Sequence, residues 1–515
     1  MRLKALFIAL MLLPGCAMAA PPAPLDGTPA AAKVEAGRIV GRTKDGVTAF
    51  RGLPYAAAPV GALRWRPPQR APAWAGERDA AQYGSDCLQH PLPAMIDPGS
   101  GLPTSEDCLY LNVWAPAGAA KRPVMVWIHG GGFTIGSGGK LESDGTALAR
   151  RGVVVVTLNY RLGRFGFFAH PALAREHPDE PQGNYGFMDQ IAALKWVQKN
   201  IAAFGGDPRQ VTIAGESAGG GSVLTLMGSP AAKGLFQRAI VESGGGRDTP
   251  STLDKPGGET PAGFAAGEAF AAGAGLKDAD AAALRALPAK TVLGDLGFFG
   301  DRGRKDYAGP MIDGRIVTDR TSAIFAHGDE AQVPLVIGFN SRELGGARAL
   351  IAGWAKQQAA KFGPREAELR RLYDPNGGED GLLDDFLSDL VFVEPARFLA
   401  AAHARHGRPT YLYQFSYVAE AKHKPGDGAG HASEIPYVFG TIGLTDPKAT
   451  AADRAVGDLA SGLWAGFATA GAPKTWPAYD AASDALLDIS AAGAKPLAGR
   501  TKARLDFLAS TQPAP

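Results

Sequence analysis

Residues 211–219 constrain the fold of this chain more than any other segment, because the sequence changes character there at a single serine. A strand-like run, Val-Thr-Ile-Ala, leads directly into Gly-Glu-Ser-Ala-Gly. On a sharp strand-to-helix turn, the positions two before and two after the serine must be small, because strand and helix nearly touch. Ser217 is the only serine of the chain with glycine at both positions. The segment predicts a nucleophile elbow; the alternative is a glycine-softened turn that exposes an ordinary serine.

The apolar runs around this segment predict an α/β fold. Buried-strand patterns alternate with a helical pattern at 188–203, as expected for a large, mostly parallel central sheet flanked by helices. Helical and glycine-rich stretches near 250–330 and 345–408 are interpreted as insertions above the carboxyl ends of the strands. The predicted core strands are 124–128, 153–158, 211–214, 239–241, 333–337 and 410–415, with antiparallel edge strands at 38–40 and 47–50.

The N-terminus has the three regions of a secretory signal peptide: Arg2 and Lys4, an apolar run at 5–13, and small residues before Ala19. The apolar run is too short to span a bilayer. Cleavage after Ala19 would send the protein to the periplasm or the medium; the alternative is a lipoprotein signal with Cys16 acylated. Residues 20–33, rich in proline and alanine, are predicted to be a flexible leader, and 34–515 a single domain with the two insertions.

Loss of the signal peptide changes both charge and cysteine content. Without Arg2 and Lys4 the chain has 51 Lys plus Arg, equal to its 51 Asp plus Glu, which argues against nucleic acid or an anionic membrane as a partner. Only Cys87 and Cys108 then remain. In an oxidising compartment we expect them to pair; the alternative is two buried free thiols.

A nucleophilic serine needs a histidine to take its proton and a carboxylate to orient that histidine. In sheet enzymes with such an elbow, the acid and then the histidine follow the serine along the chain, on loops at the carboxyl ends of strands. Glu343 lies just past the predicted strand 333–337 and is the candidate acid. The alternative is a surface carboxylate paired with Arg342.

Four histidines lie late enough in the chain to act as the base. His403 and His406 sit in an alanine-rich helical pattern and are interpreted as solvent-facing, although their spacing also allows a metal pair. His423 has a lysine on each side, which disfavours a charged imidazole. His431 follows the glycine-rich loop 426–430 and is therefore the candidate base.

Acyl transfer also needs N–H groups aimed at the developing oxyanion. The predicted strand 124–128 ends in His-Gly-Gly-Gly-Phe, whose backbone can approach a ligand closely. Gly131, Gly132 and Ala218 are the candidate donors. A phosphate-binding loop is the competing interpretation of residues 130–139, but no Lys-Ser/Thr pair follows these glycines as it does in such loops.

With further motifs in the same order, the chain resembles the type-B carboxylesterases, the cholinesterase-like branch of the α/β-hydrolases. The motifs are Arg-Gly-Leu-Pro-Tyr-Ala at 51–56, Pro-Val-Gly at 59–61, Ser-Glu-Asp-Cys-Leu-Tyr-Leu-Asn-Val at 105–113, Asn-Tyr-Arg-Leu-Gly at 159–163, and the segments 182–219 and 431–440.

The resemblance implies the same site residues: a triad of Ser217, Glu343 and His431 and an oxyanion hole of Gly131, Gly132 and Ala218. It also implies a Cys87–Cys108 disulfide, an Arg64–Glu106 ion pair, and supporting positions at Glu216 and Ser243. Three residues depart from the family pattern. Leu344 and Ala432 stand where glycine is usual or common, and Glu242 stands where glutamine is typical.

The expected function is that of a secreted serine carboxylesterase that hydrolyses uncharged aliphatic or aryl esters through an acyl-enzyme, without metal or cofactor. Phe133, Phe298 and Phe299 are candidate pocket walls. The segment between Cys87 and Cys108 contains no Phe, Tyr or Trp, which disfavours a cholinesterase. Alternatives are an acyltransferase, a hydrolase of carbamates or polymer esters, and a non-catalytic binding module. The expected partner is a small ester, and the sequence leaves monomer and homodimer open.

Overall fold

The computed structural model describes residues 21–94, 96–298, 304–344, 348–377, 381–424, 428–472, 475–498 and 502–512. Its strands are β1 Thr28–Val34, β2 Gly37–Lys44, β3 Val47–Pro54, β4 Glu77–Asp79, β5 Asp86–Cys87, β6 Thr104–Ser105, β7 Tyr110–Pro116, β8 Arg122–Ile128, β9 Val154–Leu158, β10 Phe167–Phe168, β11 Gly183–Asn184, β12 Gly206–Glu216, β13 Arg238–Glu242, β14 Leu335–Asn340, β15 Thr410–Phe415, β16 Leu486–Ser490 and β17 Gly493–Leu497.

The α-helices are α1 Thr146–Arg150, α2 Gly163–Gly166, α3 Pro171–Glu176, α4 Tyr185–Asn200, α5 Ala218–Gly228, α6 Gly263–Gly273, α7 Ala281–Ala286, α8 Ala289–Leu293, α9 Thr321–His327, α10 Arg348–Ala360, α11 Glu366–Tyr373, α12 Glu394–Arg405, α13 Ile435–Val438, α14 Ile442–Thr445, α15 Ala451–Ala470 and α16 Lys502–Ala509. Two π-helical turns, Leu382–Phe386 and Asp389–Val393, precede α12. Short 3₁₀ turns are Gly61–Leu63, Leu141–Ser143, Ile201–Phe204, Pro230–Ala232, Gly363–Arg365 and Glu420–Lys422.

Thirteen strands of the described chain form one sheet, in the order β1-β2-β3-β7-β9-β8-β12-β13-β14-β15-β16-β17, with β4 beside β2. The run from β9 to β16 is parallel, and the strands on either side of it pair antiparallel, apart from β4, which runs parallel to β2. Parallel strands place their carboxyl ends at one edge, so loops from distant parts of the chain meet there. This α/β-hydrolase architecture agrees with the predicted fold class.

The sheet carries an apolar layer on each face, because successive side chains of a strand point to opposite faces. In β8, Val124, Val126 and Ile128 join the cluster that includes side chains of α4 and α5. Met125 and Trp127 join the other cluster, which includes side chains of α15. The central strands are therefore buried on both faces and anchor the loops at their ends.

The predicted flexible leader is wrong in part, because Thr28–Val34 is strand β1. It pairs antiparallel with β2 along its whole length, so backbone hydrogen bonds hold a segment whose composition carries no strand signal. The predicted core strands all lie within β2, β3, β8, β9, β12, β13, β14 and β15 or overlap them by a few residues, whereas β7, β16 and β17 were not predicted. Helices α6–α9 and α10–α12 fall in the two predicted insertions, whose boundaries remain a prediction.

The signal peptide and Cys16 lie outside the described residues. A disulfide joins Cys87 and Cys108, as expected, and both sulfurs are buried. The predicted Arg64–Glu106 pair is also present, with two hydrogen bonds of 2.6 and 2.7 Å next to this disulfide. No helix in the described ranges is long and apolar enough to cross a membrane.

Candidate active site

Ser217 stands between the end of β12 and the start of α5, in a backbone conformation that few L-residues adopt (φ 55°, ψ −122°). The two glycines of the motif permit this turn. A Cβ at Gly219 would lie 2.0 Å from the carbonyl oxygen of Ile128, and one at Gly215 would lie 2.5 Å from the Gly219 backbone. Strand and helix therefore approach as the sequence pattern predicts, and the serine side chain projects from the sheet edge.

Three side chains from separate loops meet at this edge. The Ser217 hydroxyl lies 2.9 Å from Nε2 of His431, and Nδ1 of His431 lies 2.7 Å from Oε2 of Glu343. Ser217 and His431 are 214 residues apart in the chain, and Glu343 follows β14. The structure thus brings together the serine, histidine and glutamate that the sequence selected.

Glu343 is held by several contacts besides the imidazole. Its Oε1 accepts hydrogen bonds from the Ser243 hydroxyl at 2.6 Å and from the Asn340 amide at 2.8 Å. Its carbonyl accepts the His431 amide at 2.9 Å, and its side chain is fully buried. Arg342 pairs with Asp384 instead, so the alternative of a surface carboxylate paired with Arg342 is wrong.

The glycine run after β8 curls beside Ser217. Gly131 (φ 100°) and Gly132 (φ 59°) adopt left-handed backbone, and a Cβ at Gly131 would lie 2.3 Å from the Ile135 carbonyl. Within the described chain, the N–H groups of Gly131, Gly132 and Ala218 donate to no other residue. The three predicted donors are thus available to a ligand.

His129 supports this glycine loop, which sequence reasoning did not foresee. Its ring stacks on Tyr160 at 4.5 Å, Nδ1 lies 2.9 Å from the Gly130 carbonyl, and the Tyr160 hydroxyl donates to the His129 carbonyl at 3.0 Å. Burial lowers the pKa of His129 to about 4, so the ring stays neutral near pH 7. A signal was present in the sequence, since His129 directly precedes the glycines.

The model of the carboxylesterase family matches residues 28–371 and 379–507. The chain belongs to that family.

Characterised relatives agree with this membership. A fumonisin B1 esterase of Sphingopyxis macrogoltabida is 36% identical over 485 residues, which cover 88% of this chain and 86% of that protein. A para-nitrobenzyl esterase of Bacillus subtilis (strain 168) is 36% identical over 468 residues, covering 86% and 91%. A liver carboxylesterase of Sus scrofa is 35% identical over 525 residues, covering 91% and 90%. The chain is thus a carboxylic ester hydrolase by family.

Solved structures give the same result for the fold. A PNB esterase superposes with a TM-score of 0.77 at 33% identity, covering 93% of this chain and 99% of that one. A carboxylesterase of Geobacillus stearothermophilus superposes with a TM-score of 0.76 at 32% identity, covering 92% and 99%. Over more than nine tenths of its length, the chain therefore has the fold of a carboxylesterase.

Glu216 adds a second carboxyl group beside the imidazole of this carboxylesterase. Its Oε1 lies 3.2 Å from Nε2 of His431, without the alignment of a hydrogen bond. Burial, reinforced by the charge of Glu343, raises the pKa of Glu216 to about 7. Burial also opposes the charged imidazole, but Glu216 and Glu343 outweigh it and raise the pKa of His431 to about 10. The site therefore favours a positively charged histidine.

Two further buried carboxyl groups stand behind Glu216, and sequence reasoning missed their contacts. Glu242 pairs in register with Glu216, so both side chains occupy the same face of the sheet. Its Oε1 accepts the indole N–H of Trp464 at 2.7 Å. Burial and the nearby charge of Glu434 hold the pKa of Glu242 well above its ordinary value. Burial, with Glu216 and Glu343, raises the pKa of Glu434 to about 8.

Aromatic rings flank the glycine loop and the imidazole. Phe133 packs edge-on against Phe167 and Phe187, and the Phe298 ring covers Gly132. Phe299 lies outside the described residues. Phe392, which sequence reasoning did not single out, lies 4.8 Å from the His431 ring because the π-helical turn Asp389–Val393 carries it there.

The interpretation of His403 as solvent-facing is wrong. Its ring is completely buried, with Nδ1 2.7 Å from the Glu330 carboxylate and Nε2 2.9 Å from the Val333 carbonyl. An alanine-rich helix pattern does not reveal which face meets a buried acid on another loop. His406 is exposed. Among the described residues, no cluster of three or more potential metal-ligating side chains occurs.

Proposed function

We propose that this carboxylesterase hydrolyses uncharged carboxylic esters through a Ser217-His431-Glu343 triad and a covalent acyl-enzyme. One observation carries the proposal: the His431 ring bridges the Ser217 hydroxyl at 2.9 Å and the Glu343 carboxylate at 2.7 Å. These distances lie within hydrogen-bond reach for proton transfer.

The geometry supports a two-step reaction. Ser217 Oγ attacks the ester carbonyl carbon while its proton passes to Nε2 of His431. The tetrahedral intermediate collapses, and the same proton goes to the departing alcohol, which leaves Ser217 acylated. Water then attacks the acyl group with His431 again as base, and collapse of the second intermediate releases the acid and restores the Ser217 hydroxyl. Glu343 positions His431 and stabilises its charged form.

The N–H groups of Gly131, Gly132 and Ala218 act as the oxyanion hole. Gly131 and Gly132 have left-handed backbone, Ala218 begins α5, and the N–H groups of all three are unpaired within the described chain. Removing one such donor typically costs about 3 kcal/mol of transition-state stabilisation. The positive end of the α5 dipole favours the same negative charge.

The contacts favour an uncharged substrate with an apolar acyl or aryl group. Phe133, Phe298 and Phe392 are apolar surfaces next to the glycine loop and His431. Acyl transfer to an alcohol, and carbamate or polymer-ester hydrolysis, use the same chemistry and are alternatives.

Export to an oxidising compartment is part of the proposal. The N-terminal signal pattern and the Cys87–Cys108 disulfide both support it, since disulfides are rare in reducing cytosol. Lipid attachment at Cys16 is the alternative, and the mass of the mature protein distinguishes the two.

The test combines substitution with covalent labelling. Ser217→Ala should fold and lose hydrolysis of p-nitrophenyl acetate by at least about 10³-fold. The exposed Ser483, changed to alanine, serves as the matched control and should keep full activity. Phenylmethanesulfonyl fluoride should add one sulfonyl group to the Ser217 peptide, detected by mass spectrometry. Substantial turnover by Ser217→Ala, or labelling elsewhere, would refute the proposal. Product analysis with an added alcohol separates hydrolysis from transfer.

A further inference from the structure

A cavity of about 510 Å³ lies behind the loop that carries His431. Neither Ser217 nor His431 lines it, so it is separate from the proposed reaction centre. Its walls come from the disulfide-bridged segment at 97–99, residues 140–142, and the segments 417–422, 428–437 and 442–446. Small-molecule sites typically enclose about 300–1,000 Å³, and this cavity is of that size.

The mouth of the cavity is unusually apolar for an exposed surface. In the described chain, the most exposed large apolar side chains are Leu444 (63%), Leu141 (51%), Ile96 (49%) and Val60 (45%). Leu141 and Leu444 line the cavity, and Ile96 directly precedes Asp97 of its wall. Clustered exposed apolar groups mark binding sites more often than isolated ones do. Two of the four thus line one cavity, and a third adjoins its wall along the chain.

The charged side chains of the wall are held in ion pairs with one another. Lys140 lies 2.7 Å from Asp97 and 3.5 Å from Glu142, and Lys422 lies 3.1 Å from Asp446. These are all the charged side chains that line the cavity. A charged ligand would have to break such a pair and lose its own hydration, whereas a neutral ligand would not.

We propose that this cavity is a second ligand site, which takes a neutral and mostly apolar organic molecule such as an aryl alcohol. Tyr417, Tyr437 and Ile442 supply buried apolar surface. Ser433 lines the cavity, and its buried hydroxyl has no hydrogen-bond partner among the described residues, which makes it the candidate partner for the ligand's single polar group.

Occupancy of the cavity is coupled to the candidate active site through its inner wall. Gly428, Ala429 and Gly430 form part of that wall. The Ala429 carbonyl accepts the Arg342 amide at 2.9 Å, and the Gly430 carbonyl accepts the Asn340 side chain at 2.7 Å. A ligand against this segment therefore touches the backbone that joins the Glu343 loop to His431. We expect it to change kcat more than KM, a consequence that rests on the proposed function.

The experiment measures binding of 2-naphthol, a neutral and fluorescent aryl alcohol, to the full-length protein. The protein is first treated with phenylmethanesulfonyl fluoride, so that the region around Ser217 is occupied. One saturable site should remain. The Leu141→Asp, Leu444→Asp double variant should bind naphthol at least about tenfold more weakly, since it loses apolar burial at the mouth. Val60→Asp, at the exposed apolar residue away from the cavity, is the matched control and should bind normally.

Three results would overturn the site: no saturable binding, unchanged affinity in the double variant, or equal weakening by Val60→Asp. Because all three positions are exposed, the variants should fold, which circular dichroism and thermal unfolding verify. Failure of the sulfonyl fluoride to modify Ser217 would count against the proposed function alone. The comparison of the Leu141→Asp, Leu444→Asp double variant with Val60→Asp would still test the second ligand site. In untreated protein, naphthol should alter kcat for p-nitrophenyl acetate in the wild type and not in the double variant.

Discussion

The Ser243 hydroxyl donates a 2.6 Å hydrogen bond to Oε1 of Glu343, the carboxylate whose other oxygen faces His431. Ser243 is held for this contact in a left-handed conformation (φ 50°), with its amide bonded to the Gly338 carbonyl at 2.9 Å. Glu242, which directly precedes Ser243, stands where glutamine is typical of the family, and this difference leaves the Ser243–Glu343 contact intact.

Ser243→Ala should lower kcat/KM for p-nitrophenyl acetate by about tenfold and destabilise the protein by about 1–3 kcal/mol, because a buried carboxylate loses a donor. The Asn340 amide still bonds the same oxygen, so activity should not vanish. Steady-state kinetics and urea unfolding measure the two effects, with Ser483→Ala as control. If Ser243→Ala had the activity and stability of the wild type, the contact between Ser243 and Glu343 would be dispensable.

Activity should require higher pH than an ordinary histidine would impose. Only neutral His431 can accept the serine proton, and Glu216 and Glu343 raise its pKa above 6.5, to about 10. The rate should thus increase with pH through an acid limb above the usual range of 6 to 7.

Glu216→Gln tests that explanation, since it removes a negative charge 3.2 Å from the imidazole nitrogen. The pKa of His431 should fall, and the acid limb of kcat/KM should move to lower pH by about one unit. The exposed Glu420→Gln is the matched control. A limb that stays in place in Glu216→Gln would assign it to another group.

Glu242→Gln should keep most activity near pH 7 and stabilise the protein increasingly as pH rises. The raised pKa keeps Glu242 protonated in the folded state, whereas the unfolded chain ionises it above about pH 4.3. Folding is then accompanied by uptake of a proton. As pH rises, Glu242 therefore lowers the free energy of unfolding by up to about 1.4 kcal/mol per pH unit. Glutamine mimics the protonated group without that cost.

Thermal unfolding of wild type and Glu242→Gln at pH 5, 7 and 9 measures this difference. The gap in Tm should widen with pH, and Glu420→Gln should show none. A gap that is constant across this range would mean that Glu242 is ionised in the folded protein.

Gly219→Ala should prevent folding or cost more than about 3 kcal/mol, because its Cβ, on buried helix α5, would lie 2.0 Å from the carbonyl oxygen of Ile128, on buried strand β8. Gly273→Ala is the matched control. It lies exposed in α6 with nothing within 4 Å of a Cβ, and should stabilise the protein by about 0.4–1 kcal/mol. Urea unfolding compares the two; a stable Gly219→Ala would contradict the close approach of strand and helix.

Several features of this carboxylesterase were predictable because local chemistry sets them. A strand that turns sharply into a helix needs small residues on either side of the turn, and Gly215 and Gly219 meet that need. Apolar runs such as Val154–Leu158 form buried parallel strands. The structure of the predicted leader, residues 20–33, could not be inferred from its local sequence. Strand β1 forms only because the edge of β2 offers it hydrogen bonds, and no residue of β1 states that by itself.

The sequence by itself determined the fold class, the elbow at Ser217 and the short set of candidate partners, since these depend on neighbouring residues along the chain. Tertiary structure decided the contacts between residues that lie far apart along the chain. It brought His431 between Ser217 and Glu343, placed Phe392 on the imidazole, buried His403 on Glu330, and set Glu242 beside Glu216 in an apolar layer. The register of paired strands and the burial of side chains determine these contacts and the resulting charge states. Both depend on distant parts of the chain, so neighbouring residues do not reveal them.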